Sequence, residues 1–433
     1  MSFYSDGKVK SEIMDAVYYS ENDRVEFRLD RGTIMNNLTI ANLGLFDGVA
    51  LNDGNKARYD FMVGTKAVIK NIHLYDGKVS LQSIHNVNRV AAANQRLKSN
   101  NVNGNIERFT NKHFLGYRLS AQSGQVAFRD VDSLNFDNDD SKIAVSDNKL
   151  NVNAGLVPVS ELLPIVAKMS CLPSSIFSQL RLVIEFESDN RKLITNTTHA
   201  ADLKTLKPVL LIDRVVDDAT ESSLIAKLDS FEFNTYEDTN INIPAVANGV
   251  RETVEQKTLA FNNKFVTRLR TQLKYANPAL HRNAVRERHS GRLGDSFNVN
   301  LRGVQYRVNG AQLLPRGELV GDNRRLALYI DTYGDVNMTH KDAQSYANET
   351  VQQNGVVGIG NAASNSFNGC YDVDGIYVGK MIEELQITFS RTGTNDGSNP
   401  SRYNNQLILF IEAEIKKQID FGAGGYKVGY VSV

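Results

Sequence analysis

Apolar and polar residues alternate along many short stretches of this chain. In residues 25–29 and 180–186 every second side chain is apolar, and most of the side chains between them are charged. A period of two is typical of a β-strand that buries one face against a core. The same alternation recurs at residues 265–273, 326–330, 385–389 and 407–411. Clusters of Gly, Asn and Asp separate the segments, which favours antiparallel sandwiches over alternating strands and helices.

The alternation changes phase at Gly303. Leu301 occupies an odd position, whereas Val304, Tyr306 and Val308 occupy even positions. A slip of one residue turns the buried face of a strand outward, so the sequence predicts a bulge at Gly303 that restores this face. Two short strands joined at the glycine are the alternative.

One long strand is predicted over residues 265–273, and its two faces differ in character. Phe265, Leu269 and Thr271 share the face that we expect to be buried, while Val266 and Arg270 lie on the opposite face. This assignment assumes a regular pleat, in which successive side chains point to opposite sides.

Helical spacing is confined to two segments. Residues 84–98 place Ile84, Val87 and Val90 on one side of a helix. Residues 160–169 begin with the capping residue Ser160, carry Pro164 in or just after the first turn, and then become apolar. We therefore expect a β protein with a few short helices.

Composition and charge narrow the classes of function. The chain has 433 residues, enough for two or three domains and for a core without disulfides. Lys plus Arg equals Asp plus Glu at 49 each, which argues against a dedicated nucleic-acid binder, since such proteins carry a basic excess. The two cysteines, Cys171 and Cys370, form neither a disulfide framework nor a zinc site. Without a signal peptide or a membrane-length apolar run, we expect synthesis in the cytosol.

The motifs of catalysis are missing from the sequence. It contains no Walker loop, no H-E-x-x-H and no G-x-S-x-G. Residues 358–363 match the loose G-x-G-x-x-A fingerprint, but no strong strand precedes them and no helical pattern follows. We therefore expect no enzyme activity, no catalytic residue, no cofactor and no bound metal.

One dense basic cluster is the candidate for contact with another protein. It comprises Arg282, Arg286, Arg288 and Arg292, together with two histidines at positions 281 and 289. Nucleic acid or anionic lipid are alternative partners for such a cluster. The cluster lies in a predicted loop, residues 276–298, and a second long loop is predicted at residues 334–370. Both are long for a compact domain, so we expect them at contacts between proteins or on the outer surface.

The order of longer motifs resembles a known family. The first half contains AVIKNIHLYDGKVSLQSIHNVNRVAAANQRL (residues 67–97) and LVPVSELLPIVAKMSCLPSSIFSQLRLVIEFE (156–187). The second half contains TLAFNNKFVTRLRTQL (258–273), GAQLLPRGELVG (310–321) and NQLILFIEAEIKKQIDFGAGGYKVGYV (405–431). In this order they resemble the double jelly-roll major capsid proteins of viruses, above all those of virophages and polinton-like viruses.

The resemblance implies an all-β fold of two eight-stranded antiparallel jelly-roll sandwiches side by side with a few short helices. The first jelly roll, with an N-terminal arm, would span residues 1–225, and the second would span residues 226–433. The family forms homotrimeric, pseudo-hexameric capsomers that tile an icosahedral shell, so the implied location is the virion. Implied partners are further copies of the chain, neighbouring capsomers, and penton and minor capsid proteins. The resemblance implies no sequence-specific nucleic-acid partner and leaves contact with an internal membrane open.

A glycan- or receptor-binding attachment protein built as a β-sandwich is the alternative. Such a protein uses aromatic platforms, whereas this sequence has no Trp and only 8% aromatic residues. A jelly-roll enzyme of the cupin type would need His and carboxylate ligands on neighbouring strands, a cluster that the sequence does not show.

Overall fold

The computed structural model describes residues 7–47, 64–96, 119–120, 127–128, 144–145, 155–188, 203–276, 301–314, 373–393, 404–422 and 425–431. The predicted strand at residues 326–330 lies outside these ranges. Contacts divide the chain into two compact units. The first unit comprises Met1–Gln95, Asn105–Thr235 and Lys417–Gly429; the second comprises Arg96–Gly104, Tyr236–Lys416 and Tyr430–Val433. The predicted jelly-roll ranges, residues 1–225 and 226–433, stay a prediction.

Strands dominate the described residues. Those up to residue 215 are β1 (Val9–Met14), β2 (Tyr18–Ser20), β3 (Arg24–Arg28), β4 (Ile34–Met35), β5 (Thr39–Leu43), β6 (Leu45–Asp47), β7 (Ile69–Asp76), β8 (Val79–Ile84), β9 (Leu119–Ser120), β10 (Ala127–Phe128), β11 (Ala144–Val145), β12 (Gly155–Pro158), β13 (Cys171–Leu172), β14 (Leu180–Phe186), β15 (Leu203–Thr205) and β16 (Val209–Val215). The later strands are β17 (Phe231–Ile243), β18 (Arg251–Thr258), β19 (Lys264–Tyr275), β20 (Leu301–Val308), β21 (Ala311–Gln312), β22 (Val373–Ile382), β23 (Leu385–Thr392), β24 (Leu407–Gly422) and β25 (Gly425–Tyr430).

Helices are few and short in the part of the chain that the structure describes. They are a 3-10 helix (Gly64–Val68), α1 (Val87–Arg96), α2 (Val159–Leu162), α3 (Pro164–Lys168) and α4 (Asp218–Ile225). Asp217 caps α4, because its side chain accepts a hydrogen bond from the Thr220 N–H at 2.8 Å.

The first unit contains a five-stranded sheet in the order β2-β3-β14-β7-β8. β14 lies at its centre and pairs antiparallel with β3 and β7. Leu182 lies between Phe27 and Leu74 on neighbouring strands, and all three side chains are buried. Cross-strand rows of this kind stabilise the sheet and form its core face. The predicted burial of Leu180, Leu182, Ile184 and Phe186 is confirmed.

A second sheet of the first unit is arranged around β16, which pairs antiparallel with β1, β4 and β5. β12 extends it beyond β5, and β13 extends it beyond β4. Leu210 and Ile212 on β16 are buried, and the side chains that alternate with them are partly exposed.

The C-terminal hairpin, Lys417–Gly429, also belongs to the first unit. Its Phe421 and Tyr426 rings pack against the buried Phe177, with centroids 6.3 and 4.9 Å away. The Tyr426 hydroxyl donates to Asp76 Oδ2 at 2.8 Å. Partial burial, together with this carboxylate, raises the pKa of Tyr426.

The second unit is built around β19, which pairs antiparallel with β22 and β24. A second sheet has the order β18-β23-β20-β21. One buried cluster joins residues of both sheets, including Leu269, Ile387, Phe389 and Ile411. The predicted burial of Leu407, Leu409 and Ile411 is confirmed.

The two predictions about strand phase had different outcomes. The bulge at Gly303 is confirmed, because the register of β20 against β23 shifts between Leu301 and Gly303. The predicted faces of residues 265–273 are wrong for Val266, which is buried in the core cluster. A second irregularity lies between Val266 and Arg268, where the register of β19 shifts against both β22 and β24. It places the residues of β19 before it on the face opposite to the one that a regular pleat gives them.

The two predicted helices begin at other residues. Ile84 pairs with Ile72 at the end of β8, and α1 starts only at Val87. The predicted helix at residues 160–169 is divided into α2 and α3 by Leu163, because Pro164 has no N–H and starts a new helix instead of continuing the first.

Candidate assembly surface

Strand β1 forms an edge of its sheet. Val9–Met14 pairs antiparallel with β16 without a register shift, from Val9 opposite Val215 to Met14 opposite Leu210. Among the strands that the structure describes, β1 pairs with β16 alone. Its second edge is therefore open within the described part of the chain, and an open edge is a template for pairing with another strand.

Hydrogen bonding identifies the backbone groups on this open edge. The Val216 N–H donates to the Lys8 carbonyl oxygen at 2.9 Å, so these two residues form a hydrogen-bonded pair. In an antiparallel ladder, hydrogen-bonded and non-hydrogen-bonded pairs alternate. The even positions of β1 therefore bond to β16, and the N–H and C=O groups of Val9, Ser11 and Ile13 are directed to the open edge.

Apolar side chains are exposed at and near this edge. Ile13 is 72% exposed, and Val216, which follows the partner of Val9 on β16, is exposed as well. An open groove of about 390 Å³ runs beside Ile13; its lining residues are Ser11, Glu12, Ile13, Asn37, Thr39, Leu211, Ile212 and Asp213. Exposed apolar groups next to unpaired backbone are typical of surfaces that bind another protein.

Two residues of β1 on the same face of the strand, Lys10 and Glu12, carry opposite charges. Lys10 Nζ lies 3.4 Å from Glu12 Oε1, and Arg214 Nε donates to Glu12 Oε2 at 3.1 Å. The hydrogen bond from Arg214 lowers the pKa of Glu12, with Lys10 adding to the effect, so Glu12 is anionic at neutral pH. The Lys10 side chain is 68% exposed and remains accessible to a further carboxylate.

The second unit has an exposed aromatic residue on β22, which is an edge strand among the strands that the structure describes. Tyr377 on β22 is 63% exposed, and its ring lies over Gly379. Gly379 has a φ of +60°, and a Cβ built there would lie 2.6 Å from the ring. Glycine adopts this left-handed backbone without strain and leaves the space in which the Tyr377 ring lies. Leu259 and Val250 are also exposed in this unit.

The residues predicted from sequence to form a contact are not among those described. Arg282, Arg286, Arg288 and Arg292 lie outside the described ranges, as do nearly all of residues 276–298 and all of 334–370. Sequence reasoning missed the strand β1 itself, although residues 9–13 carry the alternation of a strand: apolar or small side chains at odd positions alternate with Lys10 and Glu12.

Metal and thiol chemistry are not indicated in the described residues. Within them, no group of three or more His, Cys, Asp or Glu side chains could hold a metal ion. The Cys171 thiol is buried, and burial raises its pKa, which keeps the thiol protonated and unreactive. None of the described helices has the length and apolar character needed to cross a membrane.

Comparison with known proteins gives matches at the level of structure. No family model and no curated protein matches the sequence. A chain from the crystal structure of PBCV-1 VP54, fitted into a cryo-EM reconstruction of the virophage Sputnik, superposes with a TM-score of 0.60 at 10% identity, covering 98% of this chain and 97% of that chain. A chain of the quasi-atomic model of the PBCV-1 virus capsid gives 0.57 at 9% identity, with the same coverage.

A third match comes from the cryo-EM structure of the Sputnik virophage, with a TM-score of 0.56, 10% identity, and coverage of 98% of this chain and 89% of that chain. The chain therefore has the fold of virus capsid proteins over nearly its whole length. The predicted fold class, an all-β double jelly roll, is confirmed; the count of eight strands in each jelly roll stays a prediction.

Proposed function

We propose that this protein is the major structural subunit of an icosahedral virus shell and is located in the virion. One observation carries the proposal: capsid chains share the fold over 98% of this chain and, for two of them, 97% of their own length. The shell function needs no cofactor and no catalytic residue.

The proposed building block is a homotrimer. With two sandwiches in each chain, three chains around one axis give six lobes, which is the shape that hexagonal packing requires. Cyclic closure of this kind is heterologous, because each chain presents two different faces to its neighbours. An obligate contact within the trimer should bury on the order of 2,000–5,000 Å² and be largely apolar.

Contacts between trimers should be smaller and more polar. We assign the basic cluster around Arg282, Arg286 and Arg288 to them, so the association of trimers should weaken as salt screens its charges. Penton and minor capsid proteins are the expected further partners in the shell.

Light scattering tests the building block directly. Three chains of 48.1 kDa give 3 × 48.1 = 144.3 kDa. The purified protein should show this mass over a wide concentration range at a salt concentration that keeps trimers apart. A stable mass of 48.1 kDa at all concentrations would contradict the trimer.

A further inference from the structure

We propose that β1 pairs with β1 of a second copy across a two-fold axis through Ser11. The inference rests on the proposed shell function, because it names a contact through which one capsomer would bind the next. Its basis is the open edge of β1, the phase of its backbone groups and the order of its charges.

The backbone phase restricts the possible registers. Val9, Ser11 and Ile13 direct their N–H and C=O groups to the open edge. Two such strands can form antiparallel hydrogen-bonded pairs only when odd residues face odd residues. Three registers satisfy this condition with the two-fold axis near the middle of the strand. In them the axis passes through Lys10, through Ser11 or through Glu12.

The charges select one of these three registers. Centring on Lys10 would place two ammonium groups opposite each other, and centring on Glu12 would do the same with two carboxylates. Centring on Ser11 places Lys10 opposite Glu12 of the second copy, and does so twice because of the symmetry. Opposite charges across two strands stabilise the pairing, and like charges destabilise it.

The apolar side chains fit the same register. Val9 lies opposite Ile13 of the second copy, again twice, so the side chain that is 72% exposed in one chain gains an apolar neighbour. An isologous contact of this kind uses one patch on both copies. Six residues on each side bury less than the ~1,200 Å² of a standard interface, so the contact is weak in an isolated pair and gains strength from the many copies in a shell.

A cysteine at the axis tests the pairing. The two Ser11 Cα atoms would lie about 5.5 Å apart, within the range that a disulfide spans. Ser11→Cys should therefore form a disulfide-linked dimer under mild oxidation at high protein concentration. Met14→Cys is the matched control on the same strand, because with Ser11 at the axis its symmetry mate lies six residues along the second strand, at about 20 Å and beyond disulfide reach. Wild-type protein gives the background from Cys171 and Cys370.

Reversing one charge tests the register. In the double variant Ser11→Cys, Lys10→Glu, the new carboxylate at position 10 of each copy faces Glu12 of the other copy. This repulsion at two places should lower the dimer yield about tenfold at low salt. Lys427→Glu, at an exposed position elsewhere in the first unit, should leave the yield unchanged. Equal losses from both substitutions would overturn the charge pairing.

Electron microscopy of the same samples separates this inference from the shell function. Particles without a Ser11→Cys disulfide would overturn the β1 contact and leave the shell function intact. A Ser11→Cys disulfide without particles would support the contact and contradict the shell. Equal dimer yields from Ser11→Cys and Met14→Cys would also overturn the proposal, since they would indicate random collision.

Discussion

One buried polar contact from each unit shows two different ways of burying polar groups. In the first unit, a side-chain amide joins elements: Gln82 donates to the Asn234 carbonyl and accepts from the Ile165 N–H, both at 3.0 Å. In the second unit an ion pair lies inside a sheet, where Arg270 on β19 donates to Glu412 on β24. Both of these charged side chains are buried.

This difference determines how each unit should respond to substitution. A neutral amide loses hydrogen bonds when it is removed but leaves no charge behind. Removing one member of a buried ion pair leaves the other charge buried without that partner, which costs more than the pair itself contributes. The ion pair of the second unit should therefore be more sensitive to the loss of one side chain than the amide of the first unit.

The largest effect is expected for Glu412→Ala. It removes the carboxylate opposite Arg270 and should lower the free energy of unfolding by about 3–5 kcal/mol. The double variant Arg270→Met, Glu412→Leu removes both charges and should lose much less. Urea unfolding measures both, and hydrogen exchange in β19 and β24 locates the effect. A loss below about 1 kcal/mol for Glu412→Ala would contradict the account.

Apolar truncation should cost the two units about the same. Ile184 in the first unit and Ile411 in the second are both fully buried. Ile184→Ala and Ile411→Ala should each lower the free energy of unfolding by about 2–5 kcal/mol, from lost burial and the cavity left behind. Parallel urea titrations test this. A negligible cost at either position would show that its core assignment is wrong.

A smaller effect is expected for Gln82→Leu in the first unit. It leaves the Ile165 N–H and the Asn234 carbonyl without their amide partner, at a cost of about 1–3 kcal/mol. Gln82→Glu keeps an acceptor for the Ile165 N–H but loses the donor, so it separates the two hydrogen bonds. If Gln82→Leu proves as damaging as Glu412→Ala, the contrast between amide and ion pair fails.

The smallest effect concerns pH. His73 in the first unit is buried, and burial lowers its pKa, with the nearby His85 adding to the shift and Glu185 opposing it. An unfolded histidine, with a pKa of about 6.5, binds a proton before the folded one does. Stability should therefore be constant above that value and fall as pH decreases towards the folded pKa.

His73→Gln provides the control for this pH dependence. The decline in the urea midpoint between pH 8 and pH 5.5 should be smaller in this variant than in the wild type. Hydrogen exchange should place the wild-type decline in β7 and β14 and not in β19 and β24. Equal declines in the two proteins would exclude His73 as the cause.

The elements predicted best from the sequence are those whose burial follows a regular pleat. Leu182 and Ile184 lie in a stretch that has an apolar residue at every even position, and Gly303 is a residue type that itself indicates a bulge. No glycine or proline marks the irregularity after Val266, so the sequence predicts a regular pleat there and is wrong. The sequence predicts a helix at Ile84, where the structure has a strand, because an apolar residue fits the end of a strand and the start of a helix equally well.

The candidate surface was harder to predict because it depends on pairing. Nothing local in residues 9–14 tells an edge strand from an inner one; the difference lies in which strands lie beside β1. The same holds for Phe421 and Tyr426, which pack against Phe177, more than 200 positions earlier in the chain. Partners so distant in sequence leave no periodic pattern.

Negative-stain imaging of the purified full-length protein tests the central claim most directly. Concentrated protein at low salt should form closed, uniform shells with hexagonally arranged capsomers, and these should dissociate when salt is raised. Only dispersed single chains or irregular aggregates, at every salt and protein concentration sampled, would contradict the proposal that the chain builds a virus shell.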